Sequence, residues 1–291
     1  MLEQVSVCPI CGEKDFTKQL ETLDYTTTRE SFVIQRCDRC SLLLTNPRPS
    51  IDTIGKYYQS DKYISHTGGG DSLLDNIYRA VRSRTLKSKL RLINKYQSKF
   101  NLLDYGCGTG EFLATCKDAG WTVSGVEPSD EARAKVRKDI SVVSELAKVD
   151  TQVNAITMWH VLEHVHELTE TLARLKSLLT NNGTIFIGVP NPESYDARYY
   201  KSFWAGYDVP RHLWHFNKEN IKTLLTRHNL RLQAIHPMKF DAFYVSLLSE
   251  GYKHPGKSLT SKAVSAFTRG MFSNFKAGRD NHSSLIYIAG S

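Results

Sequence analysis

From Asn101 onward, strand-like and helix-like stretches alternate, and this rhythm constrains the fold more than any other feature of the 291-residue chain. Strands are expected near 101–106, 121–127, 140–143, 153–159, 184–189, 231–237 and 284–289. Helices are expected near 111–119, 129–138, 167–180 and 218–228. When a helix takes each return path, successive strands run parallel, and the helices cover both faces of the sheet. Asn182-Gly183 places a glycine where the helix over 167–180 should stop.

Charge narrows the partners. The net charge of +8 looks like a nucleic-acid signal until it is located. Segment 79–99 carries eight Lys/Arg and no Asp/Glu, so the other 30 basic residues face 30 acidic ones. The excess is one local basic face, which argues against a broadly basic nucleic-acid surface. The stretch from Asp71 to about Lys99 reads as an amphipathic helix. Leu74, Tyr78, Val81, Leu92 and Tyr96 share one face, and Arg84, Lys87, Arg91 and Lys95 share another. Its stripe is expected to be solvated or to make peripheral contact with an anionic surface. No long apolar run suggests a membrane span, and the first residues lack a secretory pattern, so a cytoplasmic protein is expected.

Four of the six cysteines form two C-x-x-C pairs, Cys8/Cys11 and Cys37/Cys40. Strand-like stretches, Phe16 to Leu20 and Ser31 to Gln35, lie between them. Two such knuckles can complete a tetrahedral four-thiolate site for structural Zn²⁺, closed to further ligands. The expected organisation is a zinc ribbon over 1–48, a linker and basic helix over 49–98, and a catalytic domain over 99–291. In the linker, Tyr57, Tyr58 and Tyr63 precede Gly68-Gly-Gly70, an expected mobile loop. Cys107 and Cys116 have no pairing logic and are expected to pack as small apolar groups.

The first strand of the alternating region ends in Asp104-Tyr-Gly106-Cys107-Gly108-Thr-Gly110 and leads into a helix. Closely spaced glycines let the backbone turn sharply and approach a ligand beside a helix N-terminus. The second strand ends at Glu127, whose carboxylate can accept hydrogen bonds from ribose hydroxyls. Together they describe a site for an adenosine-type ligand across the strand ends.

Those residues, with Trp159-His160-Val-Leu-Glu163-His164 after the fourth strand, resemble the class I S-adenosylmethionine-dependent methyltransferases over about residues 98–291. The resemblance implies an α/β, Rossmann-like seven-stranded sheet whose last two strands, ending in 284–289, form its antiparallel part. It implies that Asp104 and the Gly106, Cys107, Gly108 and Gly110 loop hold the amino-acid end of the cofactor. Glu127 would hold the ribose, Ser144 and Glu145 the adenine, and Met158, Trp159 and His160 would flank the cofactor. S-adenosylhomocysteine is the implied product. A four-cysteine ribbon before such a domain is similar to sugar methyltransferases, whose carbon-methylating members carry a further C-terminal domain; oxygen or nitrogen is therefore at least as expected an acceptor as carbon.

His160, Glu163, His164 and His166 come just after the fourth strand, facing the ligand cleft. The segment Asp208-Val-Pro-Arg211-His212-Leu-Trp214-His215-Phe216 falls where this fold covers the cofactor and forms the acceptor pocket. Phe203, Trp204, Tyr207 and Trp214 offer aromatic walls there. His164 or His212 is expected to act as general base, and Arg211 to orient an anionic part of a small-molecule acceptor, such as a saccharide or nucleotide sugar. Two other readings remain open from sequence. One is an RNA methyltransferase, against which stands the ribbon's balance of six basic and seven acidic residues over 1–48. The other is a catalytically silent module that binds S-adenosylmethionine and holds a partner protein. Oligomeric state is not legible.

Overall fold

The computed structural model describes residues 1–59 and 73–290. Tyr63 and the Gly68–Gly70 loop lie outside the described residues, as do the side chains of Leu74 and Tyr78.

The N-terminal strands are β1 (Leu2–Glu3), β2 (Phe16–Leu23), β3 (Ser31–Cys37), β4 (Leu43–Thr45) and β5 (Arg48–Pro49). After helix α1 (Leu73–Tyr96) the alternation begins: β6 (Asn101–Tyr105), α2 (Glu111–Asp118), β7 (Thr122–Val126), α3 (Asp130–Ala134), β8 (Ser141–Val143) and β9 (Val153–Trp159). There follow α4 (Leu168–Leu178), β10 (Leu179–Pro190), α5 (Tyr195–Tyr200), β11 (Trp214–His215) and α6 (Lys218–Arg227). The chain closes with β12 (Arg231–Pro237), α7 (Asp241–Lys253), α8 (Leu259–Lys276) and β13 (Ser284–Gly290).

The main sheet has seven strands in the order β12-β13-β10-β9-β6-β7-β8, with β13 antiparallel to both its neighbours. Strand alternation divides its side chains between two cores. Leu103, Ile156, Met158, Ile185 and Ile187 join the apolar faces of α4 and α6, whereas Leu102, Ala155, Phe186 and Ile288 join those of α1 and α2. Cys107 and Cys116 are buried, unpaired, in the second core.

Three local expectations change. The helix over 167–180 stops at Leu178, and Gly183 lies within β10, where the register shifts between Leu179 and Thr184. A bulge uses that glycine, not a helix cap. On α1, Val81 is exposed, whereas Leu92 and Tyr96 pack as expected, joined by Leu86, Leu90 and Ile93. Between β12 and β13 stand two helices, α7 and α8, which the alternation did not announce.

The N-terminal strands do not close on themselves. β2, β3 and β4 form an antiparallel sheet whose fourth member is β11, contributed from 170 residues downstream: Leu44 pairs with Trp214 and Leu43 with His215. Cys8, Ile10, Leu42 and Leu44 belong to the same buried cluster as the α4 and α6 side of the main sheet.

Candidate active site

Each C-x-x-C turn is closed in the same way. The Gly12 amide donates to the Cys8 carbonyl and the Ser41 amide to that of Cys37, both with positive φ at the donating residue. The Cys8 and Cys40 sulfurs lie 3.5 Å apart, as do those of Cys11 and Cys37, and all four lie within 4.8 Å of one another. A tetrahedral zinc with Zn–S of about 2.3 Å has S–S edges near ~3.8 Å, so the thiols fit the metal with no open position. The four-cysteine cluster is a zinc-compatible structural site.

The glycine turn is bare where a ligand needs it. Gly106 has φ +75°, and a Cβ there would sit 2.5 Å from Val161 Cγ2. Gly108 has φ +54° and would meet nothing within 4 Å, which leaves its backbone facing open space. Gly110 stands at the N-cap of α2 with no side-chain cap, so the first amides of that helix are available to an anionic group. The Glu127 carboxylate binds the loop from the neighbouring strand end. Its Oε2 accepts from the Gly108 amide and its Oε1 from the Ser129 amide, both at 2.9 Å, and each oxygen has a lone pair left for a ribose hydroxyl. Ser144 and Glu145 follow β8, where Lys148 donates to both, at 3.0 and 2.9 Å. Cys107 contributes backbone only, since its thiol packs on the Gly125 strand position, where a Cβ would stand 2.7 Å from it.

Asp104 is buried and accepts from the Thr157 hydroxyl at 2.6 Å. Burial pushes its carboxyl up to about 7, the Thr157 hydrogen bond opposing. Trp159, on the same face of the sheet, meets Phe112 edge-on at 5.5 Å and carries the Lys89 ammonium 4.4 Å above its ring. Its indole Nε1 is a buried donor without a partner among the described residues. Open backbone at Gly108, uncapped amides at α2 and this orphaned donor together fit S-adenosylmethionine. Met158 does not belong to the group. The strand's alternation turns its side chain into the opposite core, away from Asp104 and Trp159.

Beyond β9 the chain turns at His160, with φ +57°. Both its ring nitrogens are spent on carboxylates: Nε2 lies 2.9 Å from Asp241 and Nδ1 3.3 Å from Glu163. Burial opposes the charge, but the Asp241 and Glu163 hydrogen bonds outweigh it and raise the imidazole to about 10. His160 is thus an imidazolium clamp between the β9 end and α7.

Three further groups converge. A short helical turn over Leu162–His164 presents Glu163 and His164, and the lid supplies His212. His164 Nδ1 lies 3.0 Å from the Arg211 carbonyl, and His212 Nδ1 lies 2.9 Å from that of Gly206. A carbonyl only accepts, so both Nδ1 atoms carry the proton and both Nε2 atoms present bare lone pairs. The rings meet edge-on at 4.6 Å. His212 Nε2 stands 4.0 Å from Glu163 Oε1, and Glu163 Oε2 is buried without a partner among the described residues. Burial lowers His164 to about 4 and keeps it neutral. His166 is directed elsewhere, to the Pro49 carbonyl.

Arg211 does not face an acceptor. It is wholly buried, and its five donors are all taken: Nε by Asp208, one terminal nitrogen by Thr27 and the Tyr57 carbonyl, the other by Asp24 and Asp208. Its guanidinium clamps the lid to the N-terminal sheet, which corrects the expectation that it orients substrate. The aromatic residues also divide. Trp204, Trp214 and Phe216 are buried and close around Glu163, His212 and His215, leaving essentially no void between them. Phe203 instead packs on Tyr25, and Tyr207 stands edge-on to His215. Asp241 and Lys89 are the functional candidates that the sequence did not single out. Lys89 sits in the basic stripe with no local sign of its burial against Trp159, and Asp241 enters from an unexpected helix.

A profile of the methyltransferase-domain family matches residues 75–235, more than half of the chain. No curated protein matches it. Among solved structures, the chain is similar to a SAM-dependent methyltransferase from Archaeoglobus fulgidus, at 22% identity and TM-score 0.49 over 72% of this chain and 94% of that one. It is also similar to magnesium protoporphyrin IX methyltransferase from Synechocystis PCC 6803 with bound SAH, at 14% identity and TM-score 0.53 over 81% of this chain and 97% of that one. The second likeness is one of fold, and it agrees with the strand order; the family match supplies the activity. The chain therefore belongs to the methyltransferase-domain family and is a class I, S-adenosylmethionine-dependent methyltransferase.

Proposed function

We propose that this methyltransferase alkylates a hydroxyl of a small molecule, with a saccharide or nucleotide-sugar acceptor as the preferred class. The observation that carries the reading is the convergence of His212, Glu163 and His164, whose ligand atoms lie within 4.8 Å of one another. Trp204, Trp214 and Phe216 surround His212 and Glu163, and the histidines offer lone pairs to the hydroxyls of such an acceptor. Six basic against seven acidic residues over 1–48 do not support an RNA acceptor.

When bound, S-adenosylmethionine supplies an electrophilic methyl on its sulfonium. A poorly ionised hydroxyl needs its proton removed as it attacks, whereas an amine does not. His212 is placed for that task. Its Nε2 is the bare nitrogen, its Nδ1–H is fixed on Gly206, and Glu163 at 4.0 Å stabilises the imidazolium that forms. His164, held neutral, orients the acceptor beside it. The lid excludes water and holds the reacting groups in line.

The test is a methyl-donor screen against nucleotide sugars, glycan intermediates and total RNA, with product mass analysis. A methylated saccharide hydroxyl is the expected product. Methylation confined to RNA overturns the acceptor class, and S-adenosylhomocysteine binding without turnover on any acceptor supports the silent module instead.

A further inference from the structure

Helix α8 is inside out. Toward the protein it turns Ala266, Gly270, Ser273 and Ala277, all buried, and Gly270 lies so close to Phe243 of α7 that a Cβ would stand 2.6 Å from that ring. Toward solvent it turns its large residues: Val264 is 68% exposed, Phe267 60%, Met271 53% and Phe275 79%. These four recur at spacings of three and four, so they form one stripe along the outer face. Burying a Phe is worth far more than burying an Ala, so a helix that spends its small side chains on the core has its apolar face directed at something else.

The charges beside the stripe say what. Lys262, Arg269 and Lys276 recur every seven residues along the same helix; Arg269 lies 4.1 Å over the Tyr199 ring and Lys262 donates to the Pro255 carbonyl, while Lys276 is exposed. From Gly251 to Arg279 the chain carries six Lys/Arg and no Asp/Glu. A second copy of this face would bring like-charged flanks together. An anionic bilayer surface satisfies both parts: acyl chains accept the Phe and Met side chains, and headgroups accept the net positive charge of the 251–279 segment. No helix among the described residues is long and apolar enough to cross a membrane, so this contact would lie in the interface plane.

We infer that α8 seats the protein on an anionic lipid surface. The position is close to the chemistry. Ser273 of α8 donates to Asp196 of the lid helix α5 at 2.6 Å, and Asp241, the first residue of α7, holds His160. The basic 79–99 segment supplies a second cationic region, but it lacks an exposed aromatic stripe.

The experiment is co-sedimentation of the full chain with vesicles of phosphatidylcholine alone and of phosphatidylcholine with phosphatidylglycerol. Binding is expected only to the anionic vesicles, weakening as salt is raised. The double variant F267E/F275E is expected to lose at least about tenfold in vesicle affinity. It should keep its S-adenosylhomocysteine affinity, because both side chains are more than half exposed and far in sequence from the glycine turn; the thermal midpoint should fall only by the loss of the Phe267–Phe243 stack. The proposal is overturned if the wild type ignores anionic vesicles. It is equally overturned if the double variant binds them unchanged, which would leave a purely ionic contact through 79–99. A wild-type dimer that F267E/F275E splits, without vesicle binding, would give the face to a second copy of the chain and also overturn it.

Discussion

Asp24, in the turn after β2, and Arg211, in the lid, form an ion pair at 3.0 Å with both side chains wholly withdrawn from solvent. Asp24 also accepts from the amides of Thr26, Thr27 and Thr28, so its charge is fixed before the lid arrives. Removing one member of a buried pair leaves the other charge stranded, at a cost of about 3–5 kcal/mol. Arg211→Ala is therefore expected to lower the denaturant midpoint by that order and to reduce turnover by loosening the lid. An unchanged midpoint with a raised KM for anionic acceptors would return Arg211 to substrate binding.

Zinc should be stoichiometric. Metal analysis of the purified protein is expected to give near-equimolar Zn²⁺, and Cys37→Ser to lose it. Because β4 pairs with β11, the loss should expose the lid as well as the N-terminus to protease. Metal-free protein with protease-resistant N-terminal strands would contradict this.

Cofactor affinity should respond to two substitutions for different reasons. Gly106→Val puts a side chain at positive φ against Val161 and is expected to distort the loop and abolish binding. Glu127→Ala removes an acceptor of charge-assisted hydrogen bonds and should weaken S-adenosylhomocysteine by about 1.5–3 kcal/mol in titration calorimetry. Full affinity in Glu127→Ala would mean that the ribose lies elsewhere.

Asp104 links pH to stability. Burial raises its carboxyl to about 7 in the fold, against about 3.9 in an unfolded chain. Folding therefore favours the protonated form; that contribution is complete below pH ~4 and is lost as pH rises through 7. Asp104→Asn, which mimics the neutral acid, should raise the thermal midpoint of the cofactor-free protein at pH 8 and change it little at pH 5. An equal change at both pH values would show that the carboxyl is not shifted.

His212→Ala should lower kcat by about 10²–10⁴-fold with S-adenosylhomocysteine affinity nearly intact. His164→Ala should have a smaller effect on kcat and a larger one on KM, since a group held neutral near 4 is a weak base. Near-full turnover in His212→Ala would leave proximity alone to drive the transfer.

Much of the main sheet was legible because its information is local. Asp104 to Gly110, Glu127 and the strand periods each declare themselves within a few residues. What escaped depends on distance or on inverted patterning. The Asp24–Arg211 pair spans 187 residues, and nothing near Trp214 marks it as the partner of Leu44. Met158 and Trp159 are neighbours in sequence, yet strand alternation sends them into opposite cores. In α8 the large side chains mark the surface, so reading them as core misplaces the helix.

The pairing of Trp214–His215 with Leu43–Leu44 has a mechanical consequence. A lid hung on flexible ends can flap alone, but this one is a rung of another sheet. The buried Arg211 clamp bolts the same two parts together a few residues away. Any swing that admits an acceptor must carry β2, β3, β4 and the four cysteines with it as one stiff body. The metal site would then act at a distance, by setting the inertia and travel of the door over the methyl group.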